Sequence, residues 1–99
     1  MMSSSNASNK THFFLSLVAL GDNLVSRSQA KQIAARFENF SEVELDFSGV
    51  EEIGQGFADE LLRVWQIAHP QTRLVASNAN ENVMKMIRHI KGRVDLPQP

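Results

Sequence analysis

The clearest pattern along the chain is an alternation of apolar and acidic residues that gives way to a helical repeat. Val43, Leu45 and Phe47 alternate with Glu44 and Asp46, as in a strand with one buried face. After residue 55 the apolar residues recur at the spacing of one helix face, at Phe57, Leu61, Val64, Trp65 and Ala68. The change of period predicts a strand beginning near residue 42, a turn, and a helix.

An earlier strand is predicted by the same alternation over residues 12–18. Its apolar face carries Phe13, Leu15 and Leu17. A turn at residues 20–23 follows, and Leu24 and Val25 after it predict a short antiparallel partner strand.

The ends of the first two helices carry recognisable signals. Ser26 has Gln29 three residues later, which is the pattern of a capping box and predicts a first helix that ends near residue 39. His69-Pro70 ends the second helix, because proline disfavours helical backbone at the residue before it.

The last part of the chain repeats the order of strand and helix. Residues 73–77 predict a strand, and either Asn78 or Asn80 caps the helix that follows. The buried face of this helix carries Val83, Ile87 and Ile90, and Gly92 is its predicted C-cap.

These elements predict an α/β fold with a small sheet of about four strands, mixed but mainly parallel. Charged residues lie in or beside the strands, so we expect three helices packed mostly on one face of the sheet. Residues 12–93 form the predicted domain. The polar residues 1–11 predict a disordered tail, and residues 94–99 a C-terminal tail.

Composition narrows the possible functions. The net charge of −1 argues against a general grip on nucleic acid or an anionic membrane, and the absence of cysteine excludes disulfides and thiolate ligands. The three histidines lack metal-ligand spacing, and no P-loop or nucleophile motif is present. We therefore expect no enzyme activity, no cofactor and no metal. The apolar runs are too short to span a membrane and no secretion signal is visible, which predicts a cytoplasmic protein.

Three glycines lie where the central strand gives way to the second helix: Gly49, Gly54 and Gly56. Glycine adopts backbone angles closed to other residues and lets another molecule's backbone come close. This junction is therefore the predicted functional site.

Four segments of the chain resemble the STAS-like family, small bacterial domains of the DUF4325 type related to the sulfate-transporter and anti-sigma-factor-antagonist fold. They are SRSQAK (26–31), LDFSGVEEIG (45–54), FADELL (57–62) and ASNANENV (76–83). Their order and spacing cover roughly residues 12–92.

The resemblance to anti-sigma factor antagonists implies a mechanism. Those relatives present a turn and the following helix to a partner kinase, an ATP-binding protein of the histidine-kinase-like ATPase type, which phosphorylates a serine at the helix start. The matching position here is Gly56, or Gln55 if the register slips, and neither can be phosphorylated. The resemblance thus implies a docking surface without the usual phosphoserine.

The sequence accordingly predicts a non-catalytic regulatory module that docks a protein partner through the turn and helix start. The candidate partner-binding residues are Ser48, Gly49, Glu51, Gly54, Gln55, Gly56, Asp59 and Glu60. Possible secondary contacts are Arg27, Ser28 and Asn78. Two alternatives remain: a small-ligand or nucleotide sensor using Ser48 and residues 77–80, and a homodimer formed through the thinly covered sheet face or an edge strand.

Several of these residues also have purely structural interpretations. Ser48 is either a displaced phosphorylation site or a cap of its own turn, and Asp46 is expected to accept hydrogen bonds from turn amides. Asp59 and Glu60 either stabilise the helix dipole or, if exposed beside Gln55, offer an acidic contact.

Two basic features have structural interpretations as well. Arg27 is expected to form a salt bridge with Asp46 or Glu51, and otherwise to contact an anion or partner. The basic residues of the last helix are interpreted as a solvated face rather than a nucleic-acid site; they are Lys85, Arg88, His89, Lys91 and Arg93.

Overall fold

The computed structural model describes residues 12–20 and 23–94, with side chains through residue 92. The predicted tails at residues 1–11 and 95–99, and the middle of the turn at residues 20–23, lie outside the described residues. The main elements are β1 (His12–Ser16), α1 (Arg27–Ala34), β2 (Glu42–Asp46), α2 (residues 55–68), β3 (Arg73–Ser77) and α3 (Glu81–Val94). Short 3-10 helices at Leu17–Leu20 and Ala35–Phe37 follow β1 and α1. No helix in the described ranges is long and apolar enough to cross a membrane.

The sheet has three parallel strands in the order β1-β2-β3. Both crossovers advance in the same direction across the sheet, and crossovers of one hand then place their helices on the same face. The predicted fourth strand at Leu24 and Val25 is wrong, and so is the mixed orientation: both strand pairs in the described ranges are parallel. The two residues have irregular backbone instead, and their carbonyl oxygens accept hydrogen bonds from Gly54 N (2.9 Å) and Phe57 N (3.1 Å).

The two faces of the sheet differ sharply in burial. On the central strand Val43 and Leu45 are fully buried, whereas the side chains between and beside them are only half-buried: Glu42, Glu44 and Asp46. We call the face that carries these three carboxylates the open face. Its edge strand exposes 56% of Phe14. The predicted packing of helices on one face follows from this pattern.

Aromatic rings fill much of the core on the helical side. Phe37, Phe47 and Phe57 are fully buried, and the ring of Phe37 meets Trp65 edge-on with centroids 5.4 Å apart. Trp65 is 9% exposed, which confirms its interpretation as a core residue. Phe13 stacks on Phe40 at 4.7 Å and closes the core at the amino ends of the strands.

The start of α1 confirms the predicted capping box. Gln29 N donates to Ser26 Oγ (3.1 Å), and Gln29 Oε1 accepts from Ser26 N (2.9 Å), so both partners satisfy each other's free backbone amides. The 3-10 turn that ends at Phe37 closes the helix near the expected position.

The second helix contains a π segment that its sequence pattern does not indicate. It runs as α-helix at Gln55–Asp59, as π-helix at Glu60–Trp65, and as α-helix again at Gln66–Ala68. A π turn holds more residues than an α turn, so the buried face shifts along the sequence. Leu62 and Trp65 are buried, whereas Val64 is half-buried and Ala68 is exposed, against the expected stripe.

The structure decides the predictions for both ends of α3. Asn80 rather than Asn78 is the cap, because its Oδ1 accepts from Val83 N at 2.8 Å. The C-cap at Gly92 is wrong, since the helix continues to Val94.

Candidate functional site

The loop that joins β2 to α2 begins with a tight turn. Val50 N donates to Phe47 O (3.0 Å), and Gly49 has a φ of +83° at the third position, as a type II turn requires. Ser48 occupies the second position and is exposed, as is Gly49. The glycine is therefore needed for the turn itself, and the turn presents Ser48 to solvent.

Asp46 confirms its predicted role as an acceptor for turn amides. Its Oδ1 accepts from Ser48 N (3.1 Å) and from Asn78 Nδ2 (2.9 Å). Asn78 follows β3 and adopts a left-handed backbone with φ of 55°, which asparagine tolerates better than most residues. The carboxylate thus ties the carboxyl ends of β2 and β3 together. Asn78, proposed as a secondary contact, has its amide engaged in this bond.

Asn80 connects the same loop to the third helix. Its Nδ2 donates to Val50 O (3.3 Å) and Glu51 O (3.1 Å), while its Oδ1 caps α3. One side chain therefore both starts α3 and fixes the middle of the β2–α2 loop.

Two substitutions of Asn80 separate these roles. We expect Asn80→Ala to lower the free energy of unfolding by about 1–2 kcal/mol, since it removes both the cap and the loop contacts. Asn80→Ser keeps a capping hydroxyl but cannot donate to both loop carbonyls, so it should cost less than alanine and still loosen the loop. Urea unfolding measures the stability, and hydrogen exchange of the Val50 amide measures the loop. Equal stability of both variants and the parent protein would contradict the assignment.

The other two glycines of the junction allow a close approach by the chain's own backbone. A Cβ on Gly54 would lie 2.8 Å from Val25 Cα, and one on Gly56 would lie 3.3 Å from Val25 O. Gly54 and the segment ending at Val25 are also joined by the bond between Gly54 N and Leu24 O. The expectation that these glycines let another molecule's backbone come close is therefore wrong. The backbone that comes close is the chain's own, at Val25.

Two buried acidic residues near the start of α2 form an ion cluster with partly exposed arginines. Asp59 Oδ2 accepts from Arg27 Nη1 (2.8 Å) and Arg63 Nη2 (2.9 Å), and Asp59 Oδ1 accepts from Arg63 Nε (2.5 Å). Glu60 Oε1 lies 3.6 Å from Arg27 Nη1. Asp59 is 1% exposed and Glu60 is 8% exposed.

This cluster corrects two predictions. The salt bridge of Arg27 is formed with Asp59 and Glu60, not with Asp46 or Glu51. Asp59 and Glu60 are not exposed beside Gln55, because the first turns of α2 press this face against the start of α1. Their negative charge is thus used inside the domain, where it neutralises arginine.

The pKa shifts of the charged groups agree with the geometry of the cluster. The hydrogen bonds from Arg63 and then from Arg27 hold the pKa of the Asp59 carboxyl well below its usual range, although burial alone would raise it. The hydrogen bond to Asp59 raises the pKa of the Arg63 guanidinium. Asp59 therefore remains ionised at neutral pH, and it fixes α1 against α2.

The predicted site residues separate into two groups once these contacts are known. Ser48, Gly49, Glu51 and Gln55 are exposed, whereas Asp59 and Glu60 are buried and Gly54 and Gly56 lie between these extremes. Ser28 is exposed on the first turn of α1.

Two exposed valines adjoin the loop, although the sequence assigned them to strands. Val18 is 47% exposed with Cγ2 3.3 Å from a Cβ built on Gly49, and Val25 is 55% exposed beside Gly54. We define the loop surface as the exposed side chains Val18, Val25, Ser48, Glu51, Glu52 and Gln55. Ser48, Glu51 and Gln55 were predicted from the sequence, and the one signal for Val18 was the break in alternation after Leu17.

Two grooves lie near this surface in the described part of the chain. One groove of about 240 Å³ lies between Leu20, Leu24 and Ile33, and another of about 250 Å³ lies between Val25 and Glu52. The described side chains contain no group of three or more histidine or acidic residues placed to hold a metal ion.

The fold and the site define a small domain with a one-sided parallel sheet, whose exposed loop lies at the carboxyl ends of the strands. Residues 29–84, more than half of the chain, match the family described as STAS-like domain of unknown function (DUF4325). The chain belongs to this family. No curated protein and no solved structure gave a significant match.

Proposed function

We propose that the chain is a cytoplasmic, non-catalytic regulatory module that docks another protein through the loop surface. One observation supports this most strongly: an exposed loop without regular secondary structure is held in place by three other segments. Asn80 binds its middle, Asp46 binds its turn, and Leu24 binds its end. A loop fixed before binding loses little conformational entropy when a partner docks.

The exposed chemistry of the loop surface defines its partner. Glu51 and Glu52 carry negative charge next to the apolar side chains of Val18 and Val25. A complementary partner presents lysine or arginine beside an apolar patch. The resemblance to anti-sigma factor antagonists suggests an ATP-binding protein of the histidine-kinase-like ATPase type.

Docking in this proposal does not depend on a phosphoserine at the helix start. Gly56 takes the matching position, and a side chain there would press on Val25 O. A phosphoserine at this position therefore has no part in the proposed docking.

A pair of charge substitutions tests the proposal. The Glu51→Lys, Gln55→Lys variant reverses the sign of the charge on the loop surface. The control variant, Glu38→Lys, Gln71→Lys, makes the same charge change at exposed residues on the opposite edge of the sheet. Each tagged protein is used to purify its partner from the native host, and the dissociation constant is then measured with the purified partner. We expect a loss of at least about tenfold for the first variant and little change for the control. Equal affinity of both would overturn the proposal.

One observation favours the alternative of a small-ligand sensor at the same edge. Ser77 Oγ, at the carboxyl end of β3, is buried and has no hydrogen-bond partner among the described residues. The grooves, however, fall below the roughly 300–1,000 Å³ usual for ligand pockets. A thermal-shift screen separates the two functions, because a metabolite that raises the melting temperature at micromolar concentration would favour the sensor.

A further inference from the structure

The open face of the sheet carries a row of like charges at its centre. Glu42, Glu44 and Asp46 follow one another on β2 and project from the face that no described helix covers. The strand register places Phe14 and Val75 on either side of Glu44. The same register places Arg73 beside Glu42, and His12 Nε2 lies 3.7 Å from Glu44 Oε1. Three carboxylates against one arginine and one histidine leave the face acidic, and a half-exposed aromatic ring and a half-buried valine border it. A face of this kind is complementary to a partner surface that carries cationic and apolar groups.

The outward face of α3 has the opposite character. Val83, Ile87 and Ile90 are buried, so the residues about half a turn away point to solvent. Those residues include Lys85, Arg88 and His89, all exposed, and Gly92, where an added Cβ would meet nothing within 4 Å. The helix therefore presents a basic strip to solvent, and this strip ends at Gly92, which has no side chain.

We propose that a second copy of the chain covers the open face with the outward face of its α3. Lys85 and Arg88 of one copy then pair with Glu42 and Glu44 of the other, because Asp46 Oδ1 already accepts two hydrogen bonds within its own chain. The lengths agree: the row from Glu42 to Asp46 spans about 13 Å at strand rise. The strip from Lys85 to Gly92 spans about 10 Å at helix rise.

The charges also determine how the copies are related. Two open faces packed on each other around Glu44 would bring the three carboxylates of each copy together, with one arginine per copy, Arg73, to offset them, which is unfavourable. The two contacting patches are different, so the association is head to tail and can continue to further copies. The side chains of the loop surface belong to neither patch, although Ser48 adjoins the end of the acidic row through its bond to Asp46.

Sedimentation velocity on the purified chain tests this arrangement. Between about 10 μM and about 1 mM protein at low salt, we expect the average mass to rise to at least twice the protomer mass, and to fall back at about 0.5 M salt. The protomer mass is 11.1 kDa. A protein that stays monomeric throughout this range at low salt overturns the proposal.

Charge reversal identifies the two surfaces. Glu42→Lys, Glu44→Lys and, separately, Lys85→Glu, Arg88→Glu should each abolish self-association, while an equal mixture of the two variants should restore it. The Glu51→Lys, Glu52→Lys variant carries the same charge change on the loop surface and should associate like the parent. Circular dichroism confirms that each variant is folded. A mixture that stays monomeric, or association that survives either reversal, contradicts the pairing.

Discussion

Replacing Gly54 with alanine is expected to lower the free energy of unfolding by about 2 kcal/mol, within the usual range for overpacking. A Cβ at this position would meet Val25 Cα at 2.8 Å and Val25 Cβ at 3.0 Å. The nearer atom belongs to the backbone, so no rotamer change relieves the contact. The segment before α1 has to move, and the bond between Gly54 N and Leu24 O is then strained or lost. Urea unfolding followed by circular dichroism measures the change.

The same substitution elsewhere in the chain provides a matched control. Gly92 lies in α3 with open space around it, so Gly92→Ala should stabilise the protein by about 0.5 kcal/mol through helix propensity. The opposite signs of two glycine-to-alanine changes would show that close packing against Val25, and not glycine itself, governs the first. A Gly54→Ala variant as stable as the parent would contradict the observed contact.

Replacing Asp59 with asparagine is expected to destabilise the protein by about 2 kcal/mol at neutral pH. Asparagine has nearly the same shape, but it leaves two arginines facing a neutral amide. Breaking a buried pair by removing one partner costs about 3–5 kcal/mol. Because Arg27 is about half exposed and Arg63 about one-third exposed, water solvates them partly and reduces this cost. Urea unfolding at pH 7 measures the effect, and Glu81→Gln at the exposed start of α3 serves as the control.

The pH dependence of stability gives an independent check on the same residue. The pKa of Asp59 is lower in the folded protein than in the unfolded chain, so the folded state binds fewer protons between the two values. Its stabilisation is therefore complete above the unfolded pKa and is lost as pH falls below it. We expect the parent protein to lose more stability than Asp59→Asn between about pH 5 and pH 2. Parallel stability curves would mean that the ion cluster contributes nothing.

Local signals in the sequence predicted much of the fold correctly. The capping box of Ser26 and Gln29 depends on residues three apart, and the alternation around Val43 depends on neighbours. The acceptor role of Asp46 toward Ser48 N also spans two residues. Structures of this kind depend only on residues that are close in the sequence, so the sequence was enough to predict them.

The errors concern contacts between distant parts of the chain. Arg27 and Asp59 are separated by 32 positions, and nothing near either residue indicates that they pair. The requirement for glycine at position 54 likewise comes from a residue distant in sequence, because Val25 fills the space that a side chain there would need. Sequence reasoning identified the glycines correctly as a close approach, but it could not tell which backbone approaches.

The π segment explains a different kind of error. Helical periodicity assumes a constant number of residues per turn, and the π-helix of Glu60–Trp65 breaks that assumption. As a result the predicted stripe is correct at Phe57, Leu61 and Trp65 and wrong at two other positions. Val64 and Ala68 were expected in the core, and Leu62 takes part in it instead.

These contacts divide the junction into a buried support and an exposed surface. Asp59 and Glu60 hold α2 against α1, and Gly54 seats the loop on Val25. The remaining candidates, above all Ser48 and Gln55, lie outside this support. In the proposed function they are free to contact a partner without any cost in stability.

The most direct test of docking through the loop surface is hydrogen–deuterium exchange of the free protein and of its complex with the purified partner. The proposed function predicts that added protection is confined to peptides covering residues 18–25 and 48–55. Protection of the open face around Glu44 and of α3 should not change on partner binding. Protection concentrated on β1, β2 or α3, with the loop exchanging as in the free protein, would contradict the proposed docking surface.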